Sequence, residues 1–310
     1  MTVSIHPVAA DAALAASWPR KNGLVMWAAM RWFTLMPKKK AWGARMLGRT
    51  VGRSMRATIR TRSGGTVAVD PGCLDIYTAT VAARGVWEPM IHDVCKAIAR
   101  PGGVFYDIGA NAGIVAIDVA AHFGGRVPVV AFEPLPSLAS HVALSARLSG
   151  LENCVTVFDV MLGEKPGEAT LYLTPTLSMT SAVSRGNHES TLTRQVVRLD
   201  DLVDSGVIPP PDAMKVDVEG SELGVFRGAT KVLRAHRPTI LFEADTNLER
   251  FGHHRKDLLD LLSELAPYRF FYCSAKGLEP VTDLDAPYDE DHDNILAVSE
   301  DRAMPSIPIR

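Results

Sequence analysis

Cysteine is scarce in this sequence, and its spacing carries no motif. The four cysteines, Cys73, Cys95, Cys154 and Cys273, are far apart, and none belongs to a CxxC pair or a Cys/His cluster. Neither a zinc site nor a disulfide framework is therefore indicated, because both need closely or regularly spaced cysteines. We expect reduced thiols, as in a cytoplasmic protein.

Long apolar runs are also lacking. The first apolar stretch, residues 8–16, has no basic region before it, so a secretory signal is not expected. Residues 24–36 are interrupted by Arg31 and are too short for a membrane span, which needs about 20 apolar residues. We predict no transmembrane helix. The 310 residues fit one α/β domain with an appendage better than two equal domains.

Acidic residues are missing from residues 12–69, whereas residues 20–62 contain twelve Lys and Arg. Four aromatic residues interleave with these basic ones: Trp27, Trp32, Phe33 and Trp42. The combination suits an anionic membrane surface, where each basic residue adds about 1 kcal/mol. A helical cap whose tryptophans pack on the main domain explains the same residues equally well. No recognition motif indicates nucleic acid as a partner.

Two regions are predicted from these patterns. Residues 1–70 form a basic N-terminal segment with helices at 24–36 and 41–55 and a β-hairpin, 56–61 with 66–70, around Ser63-Gly64-Gly65. Residues 71–310 form the main domain, which begins with a helix at 88–100.

Strand and helix patterns alternate from residue 104 onward, which predicts a parallel sheet. Strands are expected at 104–108, 127–132, 155–160, 213–218, 239–243, 269–273 and 295–298. Helices are expected at 114–122, 137–148, 222–234 and 254–265, and the segments 169–173 and 195–199 indicate an inserted hairpin. The predicted fold class is α/β, a Rossmann-like, mostly parallel sheet of seven strands with helices on both faces.

A turn rich in small residues, Gly109-Ala110-Asn111-Ala112-Gly113, follows the first strand directly. Open parallel sheets bind ligands at this carboxyl edge, and glycine permits close approach of the backbone. Asp107, at the tip of the strand, is placed to hold a ligand's amino group through a charge-assisted hydrogen bond. The GxxxG spacing alone is a weak signal, because dinucleotide enzymes also have glycines here.

The second strand supplies a more specific signal, because it ends in Glu133-Pro134. An acidic residue about 20 positions after the glycines is placed to accept hydrogen bonds from both hydroxyls of a ribose. The GxGxxG pattern that cradles a pyrophosphate is absent. S-adenosylmethionine contains a ribose but no phosphate, so it is the cofactor that both observations favour.

Several ordered motifs resemble the FkbM-type methyltransferases. They are GVWEP at 85–89, DIGANAG at 107–113, AFEPLP at 131–136, RLDDL at 198–202, MKVDVEGSE at 214–222, FRGA at 226–229 and PTILFE at 238–243. The resemblance covers about residues 56–298 and implies the class I methyltransferase fold and O-methylation of a saccharide, glycolipid or related natural product. It departs at Ser145 and near Ser149 or Gly150, where the family usually has Asn.

The resemblance also implies positions for the cofactor. The methionine end would lie along the loop of Asp107, Gly109, Ala110, Asn111 and Gly113, and the ribose on Glu133 beside Pro134. Asp159, after the third strand, is either an adenine contact or a turn residue.

The fourth predicted strand carries charges where a buried strand should be apolar. Strand alternation would place Lys215, Asp217 and Glu219 on one face, which is costly unless the charges pair or take part in chemistry. Glu243 ends the fifth strand at the same edge. We predict that Lys215, Asp217, Glu219 and Glu243 form the catalytic group, with one carboxylate as general base. In the alternative, Asp217 and Glu243 hold Mg²⁺, which lowers the pKa of the acceptor hydroxyl.

Other interpretations remain open. His188 or the pair His253-His254 would be alternative bases, and residues 289–294 an alternative cation site, although solvated loops explain them more simply. Independently of these residues, a second interpretation is transfer to an amine or a carboxylate, and a third is a non-catalytic scaffold that binds the nucleoside. The leading expectation is a cytoplasmic O-methyltransferase for a glycan or lipid-linked sugar, docked at the inner membrane face through residues 20–62.

Overall fold

The computed structural model describes residues 5–19, 56–69, 88–173, 182, 190–284, 286–289 and 292–309. The helices predicted at 24–36 and 41–55, the four aromatic residues between the basic ones, and His188 lie outside the described residues. In the described part of the chain, no helix has the length and apolar character needed to cross a membrane.

The N-terminal region contains a short helix and a hairpin. Helix α1 (Ala12–Ser17) begins after Asp11, whose carboxylate accepts hydrogen bonds from the amides of Ala13 and Leu14. Strands β1 (Ala57–Arg60) and β2 (Thr66–Val69) pair antiparallel across the Gly-Gly turn, which confirms the predicted hairpin.

The first half of the main domain alternates as predicted. Its elements are α2 (Pro89–Ile98), β3 (Phe105–Ile108), α3 (Ile114–His122), β4 (Val129–Phe132), α4 (Pro136–Leu148) and β5 (Val155–Phe158). Three strands then form a small separate sheet: β6 (Met161–Leu162), β7 (Gly167–Leu173) and β8 (Ser190–Val197). Because β7 and β8 pair antiparallel, the inserted hairpin is confirmed.

The second half completes the central sheet. It contains α5 (Leu199–Asp204), β9 (Ala213–Val216), α6 (Glu222–Arg227), α7 (Thr230–His236), β10 (Thr239–Glu243), a 3₁₀ turn (Leu248–Phe251), α8 (Arg255–Leu265), β11 (Tyr268–Ser274), β12 (Gly277–Pro280) and β13 (Asn294–Ser299).

The central sheet has eight strands in the order β12-β11-β13-β10-β9-β3-β4-β5. Strands β5, β4, β3, β9 and β10 are parallel, and β13 lies antiparallel between β10 and β11. This is the predicted mostly parallel Rossmann-like sheet with one strand more, because β12 pairs with β11 across a short turn.

Each face of the sheet packs against its own set of helices. Tyr106 and Ile108 contact the helices α5 to α8, whereas Phe105 packs with α2, α3, α4 and the hairpin. Alternation along the strands places Asp107, Lys215 and Glu243 on the α2 and α3 face. The charged residues of interest therefore lie on one face of the sheet.

Three predicted boundaries are wrong. The strand predicted at 213–218 ends at Val216, and the segment predicted at 195–199 gives way to helix α5 at Leu199. The helix predicted at 222–234 is two helices separated at Gly228, where a side chain would overlap the carbonyl oxygen of Gly163. Helix α7 begins at Thr230, where the Asp200 carboxylate accepts hydrogen bonds from the Lys231 and Val232 amides of its first turn.

Ser145 and Ser149 stand at or near positions where the resemblance implies asparagine, and both serines form hydrogen bonds to strand β2. The Ser145 hydroxyl accepts a hydrogen bond from the Ala68 amide at 2.9 Å. The Ser149 hydroxyl accepts from the Thr66 amide and donates to the Thr66 carbonyl. The two serines therefore attach strand β2 to helix α4.

Candidate active site

The loop after β3 has the tight geometry that its glycines predicted. Gly109, Asn111 and Gly113 have φ values of 77°, 51° and 79°. A Cβ at Gly113 would come within 2.8 Å of the Val142 side chain, so glycine there allows α3 and α4 to pack closely. A Cβ at Gly109 would overlap the carbonyl oxygen of Asp217. The predicted cofactor loop, residues 109–113, thus lies directly against the loop that follows β9.

Glu133 lies beneath this loop. Its Oε2 accepts a hydrogen bond from the Asn111 amide at 2.8 Å, and its Oε1 accepts from the Leu135 amide at 3.0 Å. Burial raises the pKa of Glu133 to about 7, although the two backbone hydrogen bonds act in the opposite direction. Each oxygen has a second lone pair, so the carboxylate fits the ribose hydroxyls of S-adenosylmethionine.

Asp107 is fully buried at the start of the same loop. Its Oδ2 accepts a hydrogen bond from the Ala116 amide in the first turn of α3. Its Oδ1 has no hydrogen-bond partner among the described residues and lies 3.5 Å from Lys215 Nζ. An orphaned, buried carboxylate oxygen fits the ammonium group of the cofactor's methionine end.

Lys215 joins the cofactor loop to the loop after β9. Its Nζ lies 3.1 Å from Asp217 Oδ2, 3.2 Å from the Gly109 carbonyl and 3.5 Å from Asp107 Oδ1. Burial alone would lower the pKa of Lys215, but the carboxylates of Asp217 and Asp107 raise it overall. A lysine that keeps its proton balances charge and positions Asp217, and it is not a base.

Strand alternation predicted Glu219 on one face with Lys215 and Asp217, and this prediction is wrong. The chain turns after Val216, and Glu219 and Gly220 have φ values of 57° and 104°. A Cβ at Gly220 would come within 2.6 Å of the Asn247 carbonyl oxygen. In this turn Glu219 Oε2 accepts a hydrogen bond from Asn247 Nδ2 at 3.1 Å. Glu219 therefore lies beside the loop after β10.

Glu243 comes next to Asp217 through strand register. Val216 of β9 is opposite Phe242 of β10, so Asp217, which follows β9, lies beside Glu243, the last residue of β10. Burial raises the pKa of Glu243 well above its ordinary value, and Asp217 and neighbouring carboxylates raise it further. Glu243 therefore holds a proton more tightly than a solvated glutamate does.

Two further residues shape the site, although the sequence did not single them out. Glu222 is almost fully buried, and its Oε1 accepts hydrogen bonds from the amides of Val218 and Gly220. The sequence signal that could have identified Glu222 is its position as the last residue of the MKVDVEGSE motif. Asn247 donates to both Glu219 and Asp245, and no motif marks it.

The remaining candidates have other partners, although Asn294 of β13 is paired with Glu243 and the Asp293 carbonyl accepts a hydrogen bond from the Ala244 amide. Asp159 forms an ion pair with Arg194 of β8 at 2.6 Å, and its adenine contact stays a prediction. His254 caps helix α8, and His292 pairs with Asp289. Across the described ranges, no group of three or more His, Cys, Asp or Glu side chains could hold a metal ion.

Residues 107–270 match the family described as the methyltransferase FkbM domain. Hexuronic acid methyltransferase AglP of Haloferax volcanii is 28% identical over 167 residues, which cover 54% of this chain and 64% of that protein. The chain thus spans less than two thirds of this relative's length.

The fold is similar to those of solved methyltransferases. Methyltransferase FkbM from Methylobacillus flagellatus KT is 16% identical, with 86% of this chain and 60% of that chain covered and a TM-score of 0.43. An O-methyltransferase from Bacillus cereus in complex with SAH is 14% identical, with 74% and 89% covered and a TM-score of 0.40. Because the family match spans more than half of the sequence, this chain belongs to the FkbM family of S-adenosylmethionine-dependent methyltransferases.

Proposed function

We propose that this chain is an O-methyltransferase that acts on a hydroxyl of a saccharide, glycolipid or related natural product. The observation that carries the proposal is the direct contact between Gly109 of the cofactor loop and the carbonyl of Asp217. This contact brings the predicted methyl donor and the acidic loop to one edge of the sheet. The similarity to a hexuronic acid methyltransferase supports a sugar as acceptor.

The cofactor would be held by the residues that flank β3 and β4. When bound, S-adenosylmethionine supplies a methyl group that is activated by its positive sulfur. Glu133 would accept hydrogen bonds from the ribose, the loop from Gly109 to Gly113 would line the methionine end, and Asp159 would contact the adenine. Asp107 Oδ1 would receive the amino group.

The acceptor hydroxyl must lose its proton and approach the methyl group in line. We favour Asp217 as the base, because its side chain is 40% exposed and Lys215 fixes one carboxylate oxygen. Glu243 and Glu219 are the other candidates for the same proton. The proposed reaction takes no step through a metal ion. Binding of Mg²⁺ by Asp217 and Glu243 is a separate hypothesis, which is tested by measuring methyl transfer in the presence of EDTA.

The test is methyl transfer from isotope-labelled S-adenosylmethionine to a panel of oligosaccharides, with product detection by mass spectrometry. We expect a mass gain that resists mild base, as an ether does, and a loss of kcat of at least about 100-fold in Asp217→Asn. A base-labile product would indicate that the acceptor group is a carboxylate. Labelling of amino sugars alone would indicate that it is an amine. Absence of transfer, with intact cofactor binding, would favour the scaffold alternative.

For localisation, we propose a cytoplasmic protein that docks at the inner membrane face through residues 20–62. The support is the surplus of twelve basic residues in that range, interleaved with aromatic rings. The helical cap remains the rival. Described residues before the segment and at its end pack on the main domain, since Trp18 Nε1 donates to the Ala57 carbonyl and the Trp18 ring contacts His141 of α4.

A further inference from the structure

We propose that Arg194, in the inserted hairpin, positions the adenine of the cofactor by holding the Asp159 carboxylate in place. This inference rests on the proposed function, in which Asp159 contacts the adenine. It gives the inserted hairpin a role in cofactor binding. Since Arg194 would act through Asp159, it is a positioning residue.

Asp159 lies beside Glu133 at the carboxyl edge of the sheet. Phe132 of β4 is opposite Phe158 of β5, and the Glu133 amide donates a hydrogen bond to the Phe158 carbonyl at 3.0 Å. Neighbouring strands are about 4.8 Å apart, so the residues that follow these two phenylalanines are close neighbours. The adenine of the cofactor is joined directly to the ribose. A ribose held by Glu133 would therefore place the adenine near Asp159.

Two hydrogen bonds join Arg194 of β8 to Asp159. The Nη2 group of Arg194 donates to Asp159 Oδ2 at 2.6 Å and also to the Asp159 backbone carbonyl. Because one guanidinium binds both the side chain and the backbone, it fixes the direction of the carboxylate as well as its place. Charge-assisted hydrogen bonds of this kind are strong. We assign the other oxygen, Oδ1, to the amino group of the adenine, which donates a hydrogen bond.

The surroundings of Arg194 also favour a role beyond folding stability. Its side chain is 19% exposed, and its Nε is buried without a hydrogen-bond partner among the described residues. A buried donor without a partner is unfavourable for folding. An apolar side chain of similar length would avoid this cost, but it would lose the contact with Asp159. The hold on Asp159 therefore gives a reason for an arginine at this position.

The face of the hairpin that carries Arg194 packs beside the predicted nucleoside site. Arg194 is two residues beyond Leu192, so both side chains lie on one face of β8, and Leu171 of β7 is opposite Leu192. Leu171 is buried in a cluster with Leu135, the residue before α4. The Leu135 amide is one of the two that hold Glu133. The hairpin thus contacts the supports of both carboxylates that we assign to the nucleoside.

The experiment compares two ligands of the full chain by titration calorimetry. One is S-adenosylhomocysteine, and the other is its 6-deamino analogue, in which hydrogen replaces the amino group of the adenine. We expect wild type to prefer S-adenosylhomocysteine at least about tenfold, because the analogue cannot donate a hydrogen bond to the carboxylate. Binding of the analogue also shows that each variant has a folded site.

Substitutions at both residues separate positioning from a purely structural role. Asp159→Ala should abolish the preference. Arg194→Met should lower it several-fold while the affinity for the analogue stays close to that of wild type. In the double variant the preference should equal that of Asp159→Ala, because Arg194 acts through Asp159. Arg194→Lys keeps the charge but not the planar fork of donors, so its preference should lie between those of wild type and Arg194→Met.

Arg227→Met is the matched control, since it breaks an exposed ion pair with Glu164 and should leave the preference unchanged. A wild-type preference in both Arg194 variants, or an equal weakening of both ligands in them, overturns this inference. Absence of a preference in wild type, or a preference that survives Asp159→Ala, overturns the adenine contact and this inference with it. The proposed O-methylation is overturned by a different result, which is the absence of methyl transfer by wild type to every oligosaccharide of the panel.

Discussion

Glu133 illustrates how one carboxylate is tuned by opposing effects. Burial disfavours its charge, while the amides of Asn111 and Leu135 stabilise that charge. The outcome is a pKa of about 7, so the carboxylate changes charge near neutral pH. Since this folded-state pKa is above that of an unfolded glutamate, ionisation of Glu133 costs folding free energy as the pH rises from about 4.5 to about 7.

Cofactor binding should follow this titration. The ionised carboxylate accepts two ribose hydroxyls, whereas the protonated form loses acceptor capacity. With a pKa of about 7, the Kd for S-adenosylhomocysteine should decrease about tenfold from pH 6 to pH 8. Titration calorimetry at both pH values measures this, and Glu133→Gln should bind weakly without the pH trend. Glu168→Gln, an exposed glutamate on β7, should behave as wild type; a pH-independent Kd in wild type would contradict the assignment.

Lys215 is predicted to matter for stability as well as for chemistry. Lys215→Met removes the positive charge beside the fully buried Asp107, and breaking a buried ion pair costs about 3 kcal/mol. Burial already raises the pKa of Asp107, and loss of the ammonium would raise it further; because a raised pKa of an acid lowers stability as the pH rises, the loss should be larger at pH 8 than at pH 5. Urea unfolding at both pH values measures this loss.

The control for Lys215→Met is Lys231→Met, which breaks an exposed pair with Asp204. We expect that variant to lose far less stability, because both partners of this pair are exposed to solvent. Equal losses in the two variants would show that Lys215 is not held as the structure indicates.

At the scale of elements, the contact between two loops organises the site. The loop after β3 and the loop after β9 meet at Gly109 and Asp217, and Lys215 bonds to both. The loop after β9 is in turn held by Glu222 and contacts Asn247 in the loop after β10. Parallel strands bring these loops to one edge, but side-chain contacts fix their relative position.

Glycine at 109 should therefore be irreplaceable. Gly109→Ala adds a Cβ that overlaps the Asp217 carbonyl, so the two loops must separate. We expect a free energy of unfolding at least about 2 kcal/mol lower than in Gly102→Ala, and loss of S-adenosylhomocysteine binding. Gly102 is the matched control, because its φ of 83° is also positive but nothing lies within 4 Å of an added Cβ. Equal stability and binding in the two variants would contradict the contact.

The errors in element prediction have the same tertiary origin. The periodicity of residues 222–234 is helical throughout, but Gly228 packs against Gly163 and its carbonyl accepts a hydrogen bond from the Asp200 amide. Likewise, the alternation of residues 213–218 continues past Val216, whereas Glu222 draws the amides of Val218 and Gly220 into a turn. Local patterns carry no information about such distant partners.

At the scale of the molecule, the N-terminal region is partly integrated into the domain. Ala57, Ile59, Val67 and Val69 of the hairpin share a hydrophobic core with the helices α2 to α4. Buried Asp118 of α3 accepts hydrogen bonds from the Ser63 amide and pairs with His92. The predicted division at residue 70 therefore describes charge and composition, and the hairpin before it packs as part of the main domain.

The basic segment should bind anionic membranes if its charges face a bilayer. We expect the full chain to sediment with vesicles of phosphatidylcholine and about 30% phosphatidylserine at low salt, and to be released near 0.5 M salt. Replacing Lys38, Lys39 and Lys40 with Ala should weaken binding about 100-fold, at about 1 kcal/mol per charge. Lys231→Ala is the control outside the segment. Absence of binding at low salt would favour the helical cap.

The sequence by itself predicted most of the alternating strands and helices, the turn of small residues after β3 and the acidic positions, because hydrophobic period and turn residues are local properties. It also identified Glu133 and Asp217 through motifs that chemistry constrains. Only the tertiary structure decided that Lys215 contacts both Asp217 and the Gly109 carbonyl, that Glu219 turns away to Asn247, and that Glu222 supports the loop. These outcomes depend on which buried charges meet across strands, and that depends on three-dimensional contacts that no local pattern encodes.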